Sequence, residues 1–139
     1  MVQVLESFVR GSWTKGQGRG QLLVNPATEE PMAEASTEGL DFAATLDFAR
    51  RVGGSRLRAM SYAERGELLT AMSRVVHQHR DGLLELAMAN GGNTRSDAKF
   101  DLDGCSGTLA YYGALGKELG DRKLLLDEPA IQLGRSPRF

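Results

Sequence analysis

The side chain best suited to nucleophilic chemistry is the thiol of Cys105, the one cysteine among the 139 residues. A cysteine attacks as its thiolate, so it needs a neighbouring base or an electropositive setting. The spacing of Cys105 instead places it on one helical face with Leu102, Leu109 and Tyr112. We therefore expect a small buried core residue rather than a nucleophile.

The two histidines are candidates for a metal site. His77 and His79 are two residues apart in a segment with a helical pattern. Side chains at that spacing point to nearly opposite sides of a helix, so the two rings are poorly placed to share an ion. We expect solvated or packed histidines.

An acidic group, formed by Asp97, Asp101 and Asp103, partly matches a calcium-binding loop. In that register Lys99 takes the first ligand position and Ala110 the last, so the coordination fails. Carboxylates early in a helix complement its dipole, and this is the interpretation that the sequence favours.

Gly16, Gly18 and Gly20 resemble a phosphate-binding loop in composition. A dinucleotide fingerprint needs Gly-x-Gly-x-x-Gly, and a nucleoside-triphosphate loop ends in Gly-Lys followed by Ser or Thr. The sequence has neither pattern, which favours a hairpin turn. Because no nucleophile–base pair, acid–base pair or metal cluster remains, we predict no catalytic, cofactor-binding or metal-binding residue in this chain.

Composition narrows the class of partner. With 17 basic and 18 acidic residues the net charge is −1, so no charge excess would attract nucleic acid or anionic lipid. Glu6 interrupts the apolar core that a signal peptide needs, and no stretch reaches the roughly 18 apolar residues of a membrane span. A single cysteine allows no internal disulfide. We therefore expect a cytoplasmic protein with no nucleic-acid or membrane partner.

The segment 1–36 is predicted to form β strands, because short runs rich in Val, Leu and aromatic residues alternate with turn formers. Phe8-Val9 and Trp13 flank a turn at Gly11-Ser12. The stretch KGQGRGQ is a flexible turn before Leu22-Leu23-Val24, and NPATEEP is a further turn before Met32 to Ala35. We expect two or three short strands.

The segment 37–119 has the three- and four-residue spacing of helices. A first helix is predicted from Leu40 to Val52, stopped by Gly53-Gly54. A second begins at Ser61, where Ser-Tyr-Ala-Glu is typical of a capping box. An apolar stripe follows in this helix, and charged residues such as Arg65 lie largely off it. The stripe consists of Leu68, Leu69, Met72, Val75 and Val76.

Glycines divide the rest of the helical region. Asp81-Gly82 is expected to kink or interrupt the second helix, which ends at Asn90-Gly91-Gly92. A third helix is predicted from about Ser96 to Leu119, with small residues that indicate close packing against a neighbour. The segment 120–139 has a strand-like run at Leu124 to Leu126 and then loses its pattern. The small residues of the third helix are Gly104, Gly107, Gly113 and Gly116.

These elements do not complete a domain by themselves. An isolated hairpin is at best marginally stable in water, so the strands need another layer, and three amphipathic helices supply a thin one. The chain also ends at Arg-Ser-Pro-Arg-Phe in a loop-like segment, as an interrupted polypeptide would. The predicted fold class is α+β, with an N-terminal β hairpin followed by three main helices.

Four segments in order resemble the opening of the aldehyde dehydrogenase superfamily, namely FVRGSW, LLVNPATEEPMAEAS, LRAMSYAERGELLTAM and LAYYGALGKELG. STEGLDFA, the glycine pair before LRAMSY, and NTRSDAKFDLDG are similar to one bacterial branch. That branch oxidises CoA-linked semialdehydes in benzoyl-CoA and phenylacetyl-CoA degradation. Glu30 stands where the family turn commonly has glycine, which could strain the turn because a non-glycine residue disfavours positive φ. Gly66 stands where alanine is usual, and Cys105 where this branch tends to have glycine.

The resemblance implies that residues 1–139 are an incomplete N-terminal part of an α/β NAD(P)-binding domain. The intact enzyme would use a cysteine thiolate to attack the aldehyde, NAD or NADP to accept hydride, and glutamate-activated water to hydrolyse the thioester, with an asparagine in the oxyanion hole. In the family these groups lie downstream, and Asn25, Asn90 and Asn93 do not sit in the oxyanion motif.

We therefore expect this chain to be inactive alone, to pack against the remainder of the polypeptide, and to belong to a homo-oligomer when intact. The alternative is a non-catalytic helical interaction module, which would bind a partner protein through its apolar helix faces.

Overall fold

The computed structural model of the chain describes residues 2–125. It confirms the predicted α+β class, with an N-terminal β region followed by helices. None of the described helices combines the length and apolar character of a membrane span.

Within residues 2–125, five short strands form two sheets, rather than the two or three strands expected. The strands are β1 (Gln3–Val4), β2 (Glu6–Val9), β3 (Ser12–Lys15), β4 (Gln21–Val24) and β5 (Pro31–Ala35). In the three-stranded sheet β5 is central, parallel to β1 and antiparallel to β4. The second sheet is the antiparallel hairpin of β2 and β3.

The predicted first hairpin is confirmed, with Phe8 opposite Trp13, but its turn is Arg10-Gly11 rather than Gly11-Ser12, because Ser12 already pairs with Val9. Its two-residue turn has positive φ at Arg10 (52°) and Gly11 (85°). This combination suits the right-handed twist of paired strands. The two aromatic rings meet edge to face, with 5.2 Å between ring centroids.

The interpretation of KGQGRGQ as a hairpin turn is wrong, because β3 and β4, which it joins, belong to different sheets. The loop runs beside the end of β5 instead. Gln17 N–H donates to Glu38 O over 2.8 Å, and the Ser36 hydroxyl donates to Gln17 O over 2.7 Å. Turn-forming composition marked the loop, but each strand that it joins pairs with its other neighbour in the chain, β3 with β2 and β4 with β5, and the composition of a loop does not decide between two neighbours.

The NPATEEP segment is confirmed as a turn and connects β4 to β5. Its positive φ lies at Glu29 (59°), and Glu30 is not among the positive-φ residues, so the strain expected at Glu30 falls one residue earlier. Asn25 holds the turn: its side-chain oxygen accepts from Ala27 N–H at 2.9 Å, and its carbonyl oxygen from Glu29 N–H at 2.7 Å.

The first helical region continues past the glycine pair that was expected to stop it. It consists of α1 (Phe42–Phe48), a π-helical segment (Ala49–Gly53) and α2 (Gly54–Ala59). Gly53 and Gly54 both have right-handed helical φ and ψ. Glycine costs only about 1 kcal/mol relative to alanine inside a helix, so it weakens a helix without obliging it to end.

The predicted second helix is two helices, α3 (Tyr62–Gln78) and α4 (Arg80–Gly91). The capping box at the start of α3 is confirmed, since Ser61 Oγ accepts from Glu64 N–H and the Glu64 carboxylate accepts from Ser61 N–H. The interruption falls at His79 (φ −99°, ψ 14°), just before Asp81. The prediction that the helix ends at Asn90-Gly91-Gly92 is also confirmed, because Gly92 caps the end of α4 with φ 67°.

The third predicted helix is confirmed as α5 (Arg95–Leu119), which packs along α3. Gly113 and Gly116 are buried at this contact, as predicted, and face Gly66 of α3. A Cβ atom added to Gly66 would lie 2.6 Å from Gly113 O and 3.1 Å from Gly116 Cα. By contrast, a Cβ at Gly104 or Gly107 would meet nothing within 4 Å, so these two glycines do not pack against a neighbour.

Cys105 is exposed, which corrects the prediction of a buried core residue. The buried residues of α5 are Ala98, Gly113 and Gly116. At 100° per residue Cys105 lies only about 20° around the helix axis from Ala98 and from Gly116, so spacing does not distinguish it from these buried residues. Cys105 is exposed because no other described residue covers α5 at its position along the axis. Tyr112, predicted on the same face, is exposed as well.

Few side chains in the described residues are fully buried. Leu84 and Ala98 are exposed by only 1% and 0%, and Ala33 marks the centre of the three-stranded sheet. The predicted α3 stripe is divided, with Leu69 and Val76 half-buried and the others exposed. The exposed members of that stripe are Leu68, Met72 and Val75.

The strand predicted at Leu124 to Leu126 is absent from the residues of this run that the structure describes. Lys123 and Leu124 form a bend, and Leu125 belongs to no strand. Leu126 and the rest of the predicted loop at 127–139 lie outside the described residues.

Candidate functional site

A cleft of about 420 Å³ lies between the β4–β5 turn and the end of α4. Asn25 is held in place by the turn that it caps, and Gly92 by its left-handed conformation. A Cβ atom at Gly92 would approach Pro26 Cγ to 2.9 Å, so glycine allows the turn to lie close to α4. The cleft is lined by Asn25, Ala27, Glu85, Met88, Ala89, Gly92 and Asn93.

The chemistry of this cleft is limited to binding. Its polar side chains are two amides, Asn25 and Asn93, and the carboxylate of Glu85. These groups can donate or accept hydrogen bonds, but a nucleophile and a second titratable partner for Glu85 are lacking among the lining residues. General acid–base chemistry needs such a partner or a substrate proton within reach.

The residues considered for chemistry are not brought together. Cys105, His77 and His79 are all exposed, and no group of three or more His, Cys, Asp and Glu side chains within residues 2–125 could hold a metal ion. Asp97 lies in the first turn of α5, as expected for a residue that complements the helix dipole. Its N–H donates to Thr94 Oγ1, which caps the helix.

The glycine loop does not fit the phosphates of NAD(P). A phosphate cradle needs free backbone N–H groups and the space that glycine leaves beside them. Here Gly20 N–H already donates to the Glu34 carboxylate at 2.6 Å, and a Cβ on Gly20 would lie 2.8 Å from Ala35 O. The space beside Gly18 is taken by the Glu38 carboxylate, which would repel a phosphate.

A bidentate ion pair, overlooked in the sequence, joins the start of α4 to α5. Arg80 Nε donates to Asp103 Oδ1 at 2.8 Å, and Arg80 Nη2 donates to Asp103 Oδ2 at 3.0 Å. These hydrogen bonds lower the pKa of Asp103 and raise that of Arg80, and the positive charge of Lys99 assists at Asp103. The pair explains Asp103 as a structural carboxylate.

A second cavity, of about 360 Å³, lies between α3 and α5. Ser73 Oγ donates to Ser106 O at 2.8 Å across its edge, so a polar contact joins the two helices there. His77 also lines it, without a metal-binding partner among the described residues. The contacts at this cavity hold α3 and α5 together and bring no pair of reactive groups together among its lining residues.

Glu64 has a structural role of the same kind. The Ser61 backbone N–H, which donates to the Glu64 carboxylate at 2.7 Å, lowers the pKa of Glu64, and the nearby Ser61 hydroxyl and the charge of Lys123 add to the effect. Arg65, assigned by the sequence to the outer side of the helix, is half-buried beside this cap. Its position directly after a capping box was the signal that could have marked it.

The fold is similar to part of a solved dehydrogenase. Superposition on the NAD-dependent benzaldehyde dehydrogenase of Corynebacterium glutamicum gives a TM-score of 0.69 and covers 81% of this chain and 25% of that one. Sequence identity is 20%, so this likeness concerns the fold. It shows that the chain adopts the fold of one part of that protein.

Sequence comparison defines the family. Residues 13–135 match the model of the aldehyde dehydrogenase family. The chain is 35% identical over 135 residues to 3,4-dehydroadipyl-CoA semialdehyde dehydrogenase of Aromatoleum evansii, and 30% identical over 131 residues to aldehyde dehydrogenase 1A1 of Homo sapiens. The chain belongs to the aldehyde dehydrogenase family. The alignments cover 97% and 91% of this chain but 26% of each relative, so it spans about a quarter of their length.

Proposed function

We propose that this chain is the N-terminal structural part of an NAD(P)-dependent aldehyde dehydrogenase and has no catalytic activity alone. The observation that carries the proposal is an alignment that covers nearly the whole chain but only 26% of a semialdehyde dehydrogenase. It is supported by the dispersed chemistry of the described residues, whose candidate nucleophile and histidines share no site.

The proposed role of the chain is to form one part of the NAD(P)-binding domain, spanning 1–139. Its strands and helices would pack against the nucleotide-binding sheet supplied by the remainder of the polypeptide. The exposed apolar side chains Phe8, Trp13, Leu68 and Met72 support this role, because burying apolar surface would favour such packing. Since the glycine loop does not fit phosphates, the groups that bind NAD or NADP would come from that remainder.

The proposed substrate is a CoA-linked semialdehyde, which the intact enzyme would oxidise to the acid. The support is the 35% identity with the Aromatoleum evansii enzyme, compared with 30% for aldehyde dehydrogenase 1A1 of Homo sapiens. We further propose a cytoplasmic homo-oligomer for the intact enzyme.

An activity assay tests the first proposal. The purified 139-residue chain, mixed with aldehydes and either NAD or NADP, should show no aldehyde-dependent formation of reduced cofactor. The full-length Aromatoleum evansii enzyme, assayed with its own substrate, is the positive control. Turnover by the chain alone that survives further purification would overturn the proposal.

A chimera tests the structural role. The aligned part of this chain would replace the corresponding segment of the Aromatoleum evansii enzyme, with which it is 35% identical over 135 residues. We expect a folded enzyme that oxidises the CoA-linked semialdehyde with the same cofactor as its parent. The matched control carries the corresponding replacement in the benzaldehyde dehydrogenase of Corynebacterium glutamicum. A chimera that folds and binds the cofactor fully but no longer oxidises the semialdehyde would contradict the structural role. It would show that the replaced segment of the parent enzyme supplies catalytic groups that this chain lacks.

The coding DNA offers a separate test against the interaction-module alternative. A reading frame that continues beyond Phe139 into a nucleotide-binding loop and a catalytic cysteine supports the enzyme. A stop codon directly after Phe139 contradicts the larger polypeptide and favours the module or a truncated gene.

A further inference from the structure

The segment after α5 covers the beginning of α3. The first N–H groups of a helix have no partner within the helix, so they need acceptors from elsewhere. Tyr62 N–H donates to Arg122 O at 2.8 Å, and Ala63 N–H donates to Gly120 O at 3.0 Å. Residues 120–123 thus act as a strap across the end of α3.

One guanidinium joins this strap to two other segments. Arg65 Nη2 donates to Lys123 O at 3.2 Å and to Met60 O at 3.0 Å, where α2 has just ended. The guanidinium carbon also lies 5.0 Å from the centroid of the Tyr62 ring, within the range of a cation–π interaction. Arg65 therefore contacts the end of α2, the start of α3 and the strap.

The geometry of the strap depends on Gly120. This residue has φ 67° and ψ −143°, a conformation that is essentially restricted to glycine. A Cβ at Gly120 would meet no atom within 4 Å, so a substitution there acts on the backbone alone. The turn is closed by Arg122 Nε, which donates to Leu119 O at 3.1 Å.

The position of the Arg65 guanidinium depends on its hydrogen bonds to backbone carbonyls. Arg65 Nε is shielded from solvent and has no acceptor within the described part of the chain. A shielded donor without an acceptor disfavours this placement, so other contacts must hold the side chain there. The carbonyls of Met60 and Lys123 and the ring of Tyr62 are those contacts.

We propose that Arg65 is a positioning residue that latches the strap at 120–123 onto the start of α3, and so fixes the direction in which the chain leaves α5. The latch would set the path of whatever polypeptide follows. This inference concerns the conformation of the chain, and it goes beyond the proposed enzymatic role.

Hydrogen exchange of the 139-residue chain tests the latch. Arg65→Met keeps an apolar stem but removes the donors, so amides of Tyr62 and Ala63 should exchange about tenfold faster while that of Thr70 keeps its protection. The matched control is Arg58→Met, since the side chain of Arg58 hydrogen-bonds locally to the Ser55 hydroxyl, at 3.5 Å, and is not hydrogen-bonded to the strap. Unchanged exchange at Tyr62 and Ala63 in Arg65→Met would overturn the proposal. So would an equal loss at Thr70, because Arg65 would then support the whole helix.

Gly120→Ala supplies a second test that leaves Arg65 in place. Forcing alanine into this conformation should displace the strap and produce the same local increase at Ala63, whose N–H donates to Gly120 O. Protection at Ala63 equal to that of the unsubstituted chain would contradict the latch. Lack of protection at Tyr62 and Ala63 in the unsubstituted chain would contradict it as well. Neither result bears on dehydrogenase activity, so the latch and the proposed function can fail separately.

Discussion

The helical and β regions of this molecule differ in how far they bury their own side chains. In the helical region Leu84 is exposed by only 1%, and glycines bring α3 and α5 into backbone contact. In the β region Phe8 and Trp13 contact each other and yet remain 61% and 67% exposed. The comparison shows that α3–α5 form a small core within the chain, although apolar side chains such as Leu68 and Met72 stay exposed there, whereas the β2–β3 hairpin leaves both of its aromatic rings mostly exposed.

The largest effect on the free energy of unfolding is expected from a substitution at Leu84, in the helical region. Leu84→Ala removes the one large side chain that is fully buried in the described residues. It should lower the free energy of unfolding by about 3 kcal/mol, because it loses buried apolar surface and leaves a cavity. Denaturant unfolding followed by circular dichroism measures the change.

Leu86→Ala is the matched control on the same helix, where the side chain is 56% exposed. It should cost less than about 1 kcal/mol. Equal losses for Leu84 and Leu86 would mean that α4 does not pack as described.

The next effect concerns the glycine contact between α3 and α5. A Cβ at Gly116 would lie 2.6 Å from Tyr62 O and 2.8 Å from Gly66 Cα, so the two backbones would have to separate. Gly116→Ala should destabilise the helices by about 2 kcal/mol through overpacking. Gly107→Ala, on an open face of the same helix, should instead stabilise them by up to about 1 kcal/mol. Stabilisation by both substitutions would contradict the close contact.

These helical features differ in how well the sequence predicted them. The Ser61 cap and the Gly92 end were predicted because capping is a local interaction of adjacent residues. The burial of Gly113 and Gly116 was predicted from their size, but their partner Gly66 was noted only as an unusual residue in its helix. Contacts between residues far apart in sequence leave a weak local pattern.

The sequence was less informative about pairing and about chemistry. β3 and β4 lie in separate sheets because β3 pairs with β2 and β4 with β5, a choice between neighbours that the loop composition does not show. The parallel contact between β1 and β5 joins residues about 30 positions apart in the chain and also left no local pattern. Cys105 is exposed although it lies on nearly the same side of α5 as Ala98, because burial depends on which residues cover each point along the helix, and apolar spacing does not show this. The Arg80–Asp103 pair was overlooked because its members lie on different helices.

A smaller effect is expected at the α3 cap. Ser61→Ala removes the acceptor for Glu64 N–H and should cost about 1 kcal/mol in the free energy of unfolding. The exposed Ser96, inside α5, is the control site, and Ser96→Ala should change stability by less than about 0.5 kcal/mol. A loss at Ser61 no larger than at Ser96 would contradict the cap.

The capping box at the start of α3 also predicts that the stability of the folded chain depends on pH. The pKa of Glu64 is lowered in the folded chain from its ordinary value of 4.5. Its contribution to stability is therefore fully present above pH 4.5 and is lost as the pH falls through the lower folded value. Glu64→Gln should remove this part of the acid sensitivity in unfolding measured across that range. An unchanged acid profile in Glu64→Gln would show that the carboxylate makes no such contribution.

The smallest effect is expected in the β region. Trp13→Ala in the isolated chain should change the free energy of unfolding by less than about 0.5 kcal/mol, because the ring is mostly exposed. In the chimera with the Aromatoleum evansii enzyme the same change should cost more, since the ring would be covered there. Equal effects in both proteins, measured by thermal unfolding, would contradict the idea that the β region is completed by further polypeptide.

The most direct measurement is hydrogen exchange of the isolated 139-residue chain beside the chimera. We predict that amides within α3 and α5 are protected in both proteins, whereas those of β2 and β3 gain strong protection only in the chimera. Strands that are as protected as α5 in the isolated chain would contradict the dependence of the β region on a larger protein.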